Sequence, residues 1–452
     1  MANHMLPLKW LGRAAHLTSP GAARYAGGGA WITGAMTETF DVLIIGGGPA
    51  GSTAATLLAK QGWKTGLLEK DIFPRFKIGE SLLPGSLRTL QRMGVKEKVE
   101  ATDLIIKHGG KIISGCGTKQ NRFLFDHVFR CEQPTAYQVE RAVFDKVLLD
   151  HAAECGCEVL AGTAVQEIRF DGGGGVVTTT DGRTRRARYV LDCSGRASLL
   201  GHQFRLKRAY GHLKKFALYA HFEGAEREPG IDGSLTQMVR ASDRWFWFIP
   251  INSRKTSVGL VMDVNAYKRA GQSPEAVLMT SVHAYPCAAR KLQGATRVSP
   301  VYATGDFSYR CRQLTGERWL LAGDAAGFID PVWSSGVYIA ILSGEKAADA
   351  LNRVLHRPDL QAREFARYAR RINRVMDLYL KFVTAWYTPA FAEVFFHPRE
   401  FLRLVPAVNS ILAGDDRELL EVRWRLWLFD CLVWLQHRFA IIAPRLTLEP
   451  RR

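Results

Sequence analysis

An apolar run, Asp41-Val42-Leu43-Ile44-Ile45, leads directly into Gly46-Gly47-Gly48-Pro49-Ala50-Gly51-Ser52. An Ala- and Leu-rich stretch continues to Lys60, and a second apolar run, Lys64-Thr65-Gly66-Leu67-Leu68, ends in Glu69. Strand, GxGxxG, helix, strand and acid in that order leave few folds open. Gly46 permits the tight turn, Gly48 lets backbone approach a pyrophosphate, and Gly51 lets helix and strand pack closely. The helix N-terminus offers free N–H groups and a positive dipole to the same pyrophosphate. Glu69 stands about 20 residues on, where a carboxylate takes the ribose hydroxyls. The expectation is an α/β fold with a Rossmann-type domain. Gly46, Gly47, Gly48, Ala50, Gly51, Ser52 and Glu69 then lie at the dinucleotide.

Composition bounds the rest. The chain has 452 residues, of which 47% are apolar and 23% charged, close to the globular average. A net charge of +18 predicts attraction to an acidic partner without naming it. Only Cys155 and Cys157 of the eight cysteines lie close together, and their spacing is neither a zinc pair nor a CxxC motif. No metal site is expected, and a reduced, cytoplasmic setting is the simplest reading. No run of 18 apolar residues predicts a transmembrane helix, and no nucleic-acid module is visible. Residues 1–36 carry Lys9, Arg13 and Arg24 and no acid. They read as a disordered extension or a mis-assigned start, with Met36 as the true one, although a transit peptide is also basic and acid-poor.

Three further segments choose the dinucleotide. Leu320-Leu321-Ala322-Gly323-Asp324-Ala325-Ala326-Gly327 is an apolar strand ending in Gly-Asp before a helix. It resembles the segment of large flavoprotein families in which the Asp meets the ribityl chain. Asp192-Cys193-Ser194-Gly195-Arg196 resembles the middle motif of those families, and Tyr137 to Asp145, with Arg141, resembles their segment beside the FAD. FAD rather than NAD is the expected cofactor. No second GxGxxG has the strand context of a nicotinamide domain, so a separate NAD(P)H-flavin reductase is expected to supply FADH2.

Two motifs narrow the chemistry. Trp245-Phe246-Trp247-Phe248-Ile249-Pro250 fits WxWxIP, and Phe328-Ile329-Asp330-Pro331-Val332-Trp333-Ser334-Ser335-Gly336 fits FxxPxxSxG. Both resemble hallmarks of the flavin-dependent halogenases. Gly79-Glu80-Ser81-Leu82-Leu83-Pro84 is similar to a segment of the branch acting on phenols, pyrroles and carrier-bound substrates. The resemblance runs from about Thr39 to about Gly414. It implies that Glu80, Arg141, Asp324 and Val337 lie at FAD, that Ser335 and Gly336 hold chloride or bromide, and that Trp245 and Trp247 wall substrate off from flavin. By strand alternation the two Trp share one face and Phe246 and Phe248 the other. Trp333 stands where the tryptophan-type enzymes carry a carboxylate, which makes free tryptophan a poor candidate substrate. Asp330 could supply a nearby carboxylate instead. An ordinary aromatic core strand and a serine helix cap are the plain readings of the same residues.

The resemblance also implies a lysine that hands the halogen to substrate. Lys107, before His108-Gly109-Gly110, fits the phenolic branch, and Lys111 is the runner-up. If Leu104 to Ile113 is one strand, the two lysines share a face. His108 is a weak candidate for the base. The implied reaction consumes FADH2, O2 and halide, makes hypohalous acid, and halogenates an electron-rich aromatic, free or on an acidic carrier protein. The alternatives are an aromatic monooxygenase, a flavoprotein like the geranylgeranyl reductases, and a non-catalytic binding protein.

The expected organisation is discontinuous. An FAD domain takes 37–107, 136–198 and 304–356, an inserted antiparallel sheet domain for substrate takes 108–135 and 199–303, and residues 357–452 are helical. Near the C-terminus, Trp424, Trp427, Phe429, Trp434 and their apolar neighbours predict an aromatic helix flanked by Arg423, Arg425 and Arg438. That helix either packs on the sheet domain or meets a membrane surface or partner.

Overall fold

A computed structural model describes residues 38–450, apart from 306, 400 and 416–419. The N-terminal extension and Met36 lie outside the described residues.

The chain opens with the nucleotide-binding unit: β1 (Glu38–Ile45), α1 (Pro49–Ala59) and β2 (Thr65–Glu69). It then leaves that layer through β3 (Ile105–Lys107), β4 (Gly109–Ser114), β5 (Gln120–Leu124) and β6 (Ala136–Gln138). α2 (Arg141–Glu154), β7 (Glu158–Ala161) and β8 (Thr184–Asp192) bring it back. A second excursion builds β9 (Lys215–Glu223), β10 (Thr236–Arg240), β11 (Arg244–Pro250) and β12 (Lys255–Asp263). β13 (Trp319–Leu321) returns once more, and five helices follow: α3 (Ser335–His356), α4 (Gln361–Trp386), α5 (Pro389–Phe395), α6 (Leu404–Leu412) and α7 (Leu420–Phe439).

Within the eight-stranded nucleotide sheet the strands β13-β8-β1-β2-β7 run side by side and parallel, and the other three strands pair antiparallel. Its central strands are continuous apolar runs because helices cover both faces. The second sheet runs β9-β12-β11-β10-β4-β5. It is antiparallel except between β10 and β4, where Met238 lies opposite Ile112 in a parallel pair. That crossing joins the two excursions into one sheet.

The chain changes sheets at His108. β3 pairs with β6, setting Lys107 opposite Ala136, whereas β4 pairs with β10, setting Lys111 opposite Gln237. Lys107 and Lys111 therefore do not share a strand, and face alternation does not relate them.

The aromatic strand β11 has two buried faces. Phe246 and Phe248 join Val239, Leu278 and Tyr285 in a separate core on the outer side of the sheet. Trp245 and Trp247 join the main core. Trp247 lies opposite Gly259 of β12, and a Cβ at Gly259 would stand 2.1 Å from the indole. The indole thus lies flat over a strand position that only glycine leaves open. Gly259→Ala is expected to displace Trp247 and cost about 1–3 kcal/mol of stability. Urea unfolding of the variant against wild type checks this.

Candidate active site

A cavity of about 650 Å³ lies between the two sheets. Gly46, Gly48, Ala50, Glu69, Glu80, Arg141, Asp324, Gly336 and Val337 line it, as do Trp245 and Trp247. Gly47, Gly51, Ser52 and Ser335 are not among its lining residues. The first three shape the loop: Gly47 N–H donates to Glu69 Oε2 at 2.7 Å, and Ser52 Oγ donates to Gly47 O at 2.9 Å. Gly46 has φ +103°, the left-handed region, and a Cβ at Gly51 would lie 1.9 Å from Gly46 O. Both glycines are sterically required.

The cavity fits an FAD. No side-chain cap closes the N-terminus of α1, whose N–H groups remain for a pyrophosphate. Beside Gly48 nothing comes closer to an added Cβ than Arg75 Nη2 at 3.6 Å, so that space is open to a ligand. Arg75 and Arg141 supply cations and share Asp145. Arg75 Nη1 reaches Asp145 Oδ2 at 2.9 Å, and Arg141 Nε reaches Asp145 Oδ1 at 2.7 Å. Arg141 also donates to Ile78 O at 2.7 Å, which ties α2 to the segment leading into Glu80. Burial pushes the Asp324 carboxyl up to about 6, against the pull of Arg141. A hydroxyl donor from a ligand would offset that burial. Glu80 bonds His221 Nε2 through Oε1 at 2.6 Å and keeps Oε2 buried without a partner.

Next to this cavity is a pocket of about 10 Å³, room for roughly one water. Lys107, Phe123, Trp333 and Leu412 line it, and it shares Thr236, Met238, Val332 and Ser334 with the larger cavity. Those four residues form the partition between the two spaces. Sequence reading named Trp245 and Trp247 as the wall and missed Thr236 and Met238. A signal existed: β10 and β11 pair with Met238 opposite Trp247, so alternation puts Thr236 and Met238 on the Trp face.

Lys107 is buried, with Nζ donating to Leu82 O at 3.1 Å and lying 5.0 Å from the centre of the Phe125 ring. Among the described residues it has no carboxylate partner. Lys111, by contrast, is neutralised by Glu228 at 2.7 Å and Asp232 at 3.4 Å. His108 Nδ1 bonds Ser234 Oγ at 2.9 Å and is not among the pocket's lining residues. Ser334 precedes α3 with φ +55° and touches both spaces, while Ser335 is the first helical residue and is buried. Asp330 is turned away from both. It accepts from Tyr387 Oη at 2.8 Å and from Val332 N–H at 3.0 Å, and Tyr387 Oη accepts in turn from Trp245 Nε1 at 3.1 Å. The carboxylate thus fixes the Trp245 indole and the loop before Ser334. Burial raises its own pKa to about 6.

A glycine-built cradle, an arginine pair and a half-buried Asp324 around one long cavity are the marks of a flavoprotein. Residues 39–368 match the family model described as FAD binding domain. The chain is 30% identical over 411 residues to the 1H-pyrrole-2-carbonyl-(peptidyl-carrier protein) chlorinase of Pseudomonas fluorescens, covering 84% of this chain and 92% of that one. It is 36% identical over 333 residues to a tryptophan 2-halogenase of Chondromyces crocatus, covering 71% of this chain and 62% of that longer one. The myxobacterial chondrochloren halogenase CndH superposes with a TM-score of 0.72 at 29% identity, covering 86% of this chain and 96% of that one. The chain belongs to the flavin-dependent halogenases.

Burial alone pushes the Lys107 ammonium from 10.5 down to about 7. Between those values the unfolded lysine holds a proton that the folded one has lost. Stability therefore rises with pH across that window, and the full penalty is present below it. Lys107→Met carries no charge to bury. It is expected to exceed wild type by about 4–5 kcal/mol near pH 6.5, with the margin shrinking towards pH 10. Urea unfolding of both proteins across that pH range measures it.

Proposed function

We propose that this halogenase halogenates an electron-rich aromatic ring, of pyrrole or phenol type and carried on an acidic carrier protein, through Lys107. Bound as FADH2 delivered by a separate NAD(P)H-flavin reductase, the cofactor supplies the activation of O2 that turns chloride or bromide into hypohalous acid. Gly46, Gly48, Glu69, Arg75, Arg141 and Asp324 would hold it, and Ser335 with the Gly336 backbone would hold the halide at the N-terminus of α3.

The observation that carries the reading is the partition. One layer of Thr236, Met238, Val332 and Ser334 separates the FAD cavity from a pocket with room for about one water, which holds a buried lysine with no carboxylate partner among the described residues. Hypohalous acid is far smaller than an aromatic ring, and in this reading it alone crosses the layer while substrate stays off the flavin. At pH 7 the ammonium and the amine of Lys107 are both populated. The ammonium donates to the oxygen of the oxidant and polarises it, while the amine takes up the halogen as a haloamine. The ring then gains the halogen and loses a proton, and the oxidant's oxygen leaves as water.

Three features favour a carrier-bound pyrrole-like substrate over free tryptophan. The chlorinase relative is matched over 92% of its length. Trp333 occupies the position before Ser334, packing against Trp386 at 5.1 Å and Phe391 at 6.0 Å. No carboxylate stands there to orient an oxidant over a free indole. The chain's positive charge complements an acidic carrier.

The test uses purified protein, FAD, a flavin reductase, NADH and bromide, with a carrier-bound pyrrole, a phenol panel and free tryptophan offered separately. Brominated product from wild type is expected, with at least a 100-fold drop in Lys107→Ala. Monochlorodimedone should still trap hypohalous acid from that variant, because the oxidant forms on the far side of the partition. Hydroxylated product instead would sink the reading.

A further inference from the structure

The indole of Trp333 carries a buried donor, Nε1–H, with no acceptor among the described residues. The residue is 3% exposed. A buried tryptophan N–H ordinarily finds a partner, and leaving it unmet is unfavourable. Packing alone does not call for this side chain. The ring meets Trp386 edge-on at 5.1 Å, Phe391 at 6.0 Å and Phe395 at 6.3 Å. These neighbours offer the N–H at most a weak contact with a π face. A phenylalanine would meet the same rings without burying a donor. The backbone holds the ring in place from both sides. Val332 N–H donates to Asp330 Oδ1 at 3.0 Å, and Ser334 N–H donates to Pro331 O at 3.1 Å.

Trp333 lines the same small pocket as Lys107. Lys107 Nζ gives one N–H to Leu82 O at 3.1 Å and keeps others to offer. Thr236, on the partition, already donates its hydroxyl proton to Gln138 Oε1 at 3.0 Å. Two of the residues around this space thus bring N–H donors, and no carboxylate is among its described lining residues. That composition suits a small acceptor: a water at rest, and the oxygen of hypohalous acid during turnover. We propose that Trp333 Nε1–H is a second donor, beside Lys107, to the oxygen of the oxidant as the halogen leaves it. The inference rests on the reading of Lys107 given above. When the aromatic carbon takes the halogen, the oxygen–halogen bond breaks and its electron pair stays on oxygen. The hydroxide so formed takes a proton from the Lys107 ammonium and leaves as water. The carbon that gained the halogen then loses its own proton, which restores the ammonium. Trp333 keeps its proton throughout and stabilises the negative charge that grows on oxygen. A carboxylate at this position would accept a hydrogen bond from the oxidant, whereas the indole can only donate one.

Bromination by the FAD-loaded enzyme, with flavin reductase, NADH and bromide, tests the donor on whichever of the carrier-bound pyrrole and the phenols wild type brominates. Two replacements separate the N–H from the ring. One is Trp333→Phe; the other puts β-(3-benzothienyl)alanine in place of Trp333, which keeps the shape of the indole with sulfur for the N–H. In both, kcat for brominated product is expected to fall about 100-fold, with KM for the aromatic within about twofold of wild type. Monochlorodimedone should trap hypohalous acid from both at the wild-type rate, because the oxidant forms on the other side of the partition. Wild-type kcat in the benzothienylalanine protein would overturn the proposal and leave the ring as packing only. Loss of FAD retention or of trapped oxidant in that protein would overturn it too, since position 333 would then act on the fold. Lys107→Ala run alongside separates this inference from the reading beneath it. Product kept by Lys107→Ala overturns that reading and this inference with it. Product lost there but kept in both Trp333 replacements overturns the role of the indole alone.

Discussion

The architecture turns on one uncompensated amine. Lys107 sits in a pocket with room for about one water, near an aromatic ring and one carbonyl, with no carboxylate among the described residues. Desolvation on this scale opposes folding by several kcal/mol, so the surroundings must be well enough packed to hold it. They are: Leu82, Leu83, Phe125 and Leu412 around it are all essentially buried. A nearby carboxylate would relieve the cost and hold the nitrogen permanently protonated. Lys111, a few residues away, has the carboxylates that Lys107 lacks, with Nζ 2.7 Å from Glu228 and 3.4 Å from Asp232.

The second constraint is that two spaces must exist side by side. Arg75, Arg141 and Asp324 line the FAD cavity, whereas the neighbouring pocket holds Lys107 and room for about one water. A sheet does this economically because its two faces and its registers are fixed over long distances. β10 and β11 present Thr236, Met238, Trp245 and Trp247 on one face, and the loop at Val332–Ser334 closes the gap. Asp330 sets that loop from behind through Tyr387 and Trp245. The carboxylate within the FxxPxxSxG segment therefore holds its own loop in place.

Much of this was legible in the sequence, and for local reasons. The GxGxxG unit folds within about 30 residues, so its order alone gives β1, α1, β2 and the cradle at Gly46 and Gly48. Lys107 was legible through its motif, but its separation from Lys111 was not. That separation depends on Lys107 pairing with Ala136 and Lys111 with Gln237, partners far along the chain. Thr236 and Met238 escaped notice because neither side chain advertises chemistry. Their role is positional and emerges only when β10 is laid beside the Trp strand. Asp330 was visible as a carboxylate, but its direction was set by Tyr387, which no local pattern connects to it.

The helix α7 shows the limit of periodicity most sharply. Its apolar residues fall on two faces, so a hydrophobic pattern can report that both avoid water but not which is covered. The fold covers the Leu426–Phe429 face because α4 and α5 already present Phe382 and Phe391 to it. Nothing among the described residues covers the tryptophan face. A chain selected only for a stable core gains nothing by keeping three indoles in water, since polar residues there would fold as well and aggregate less.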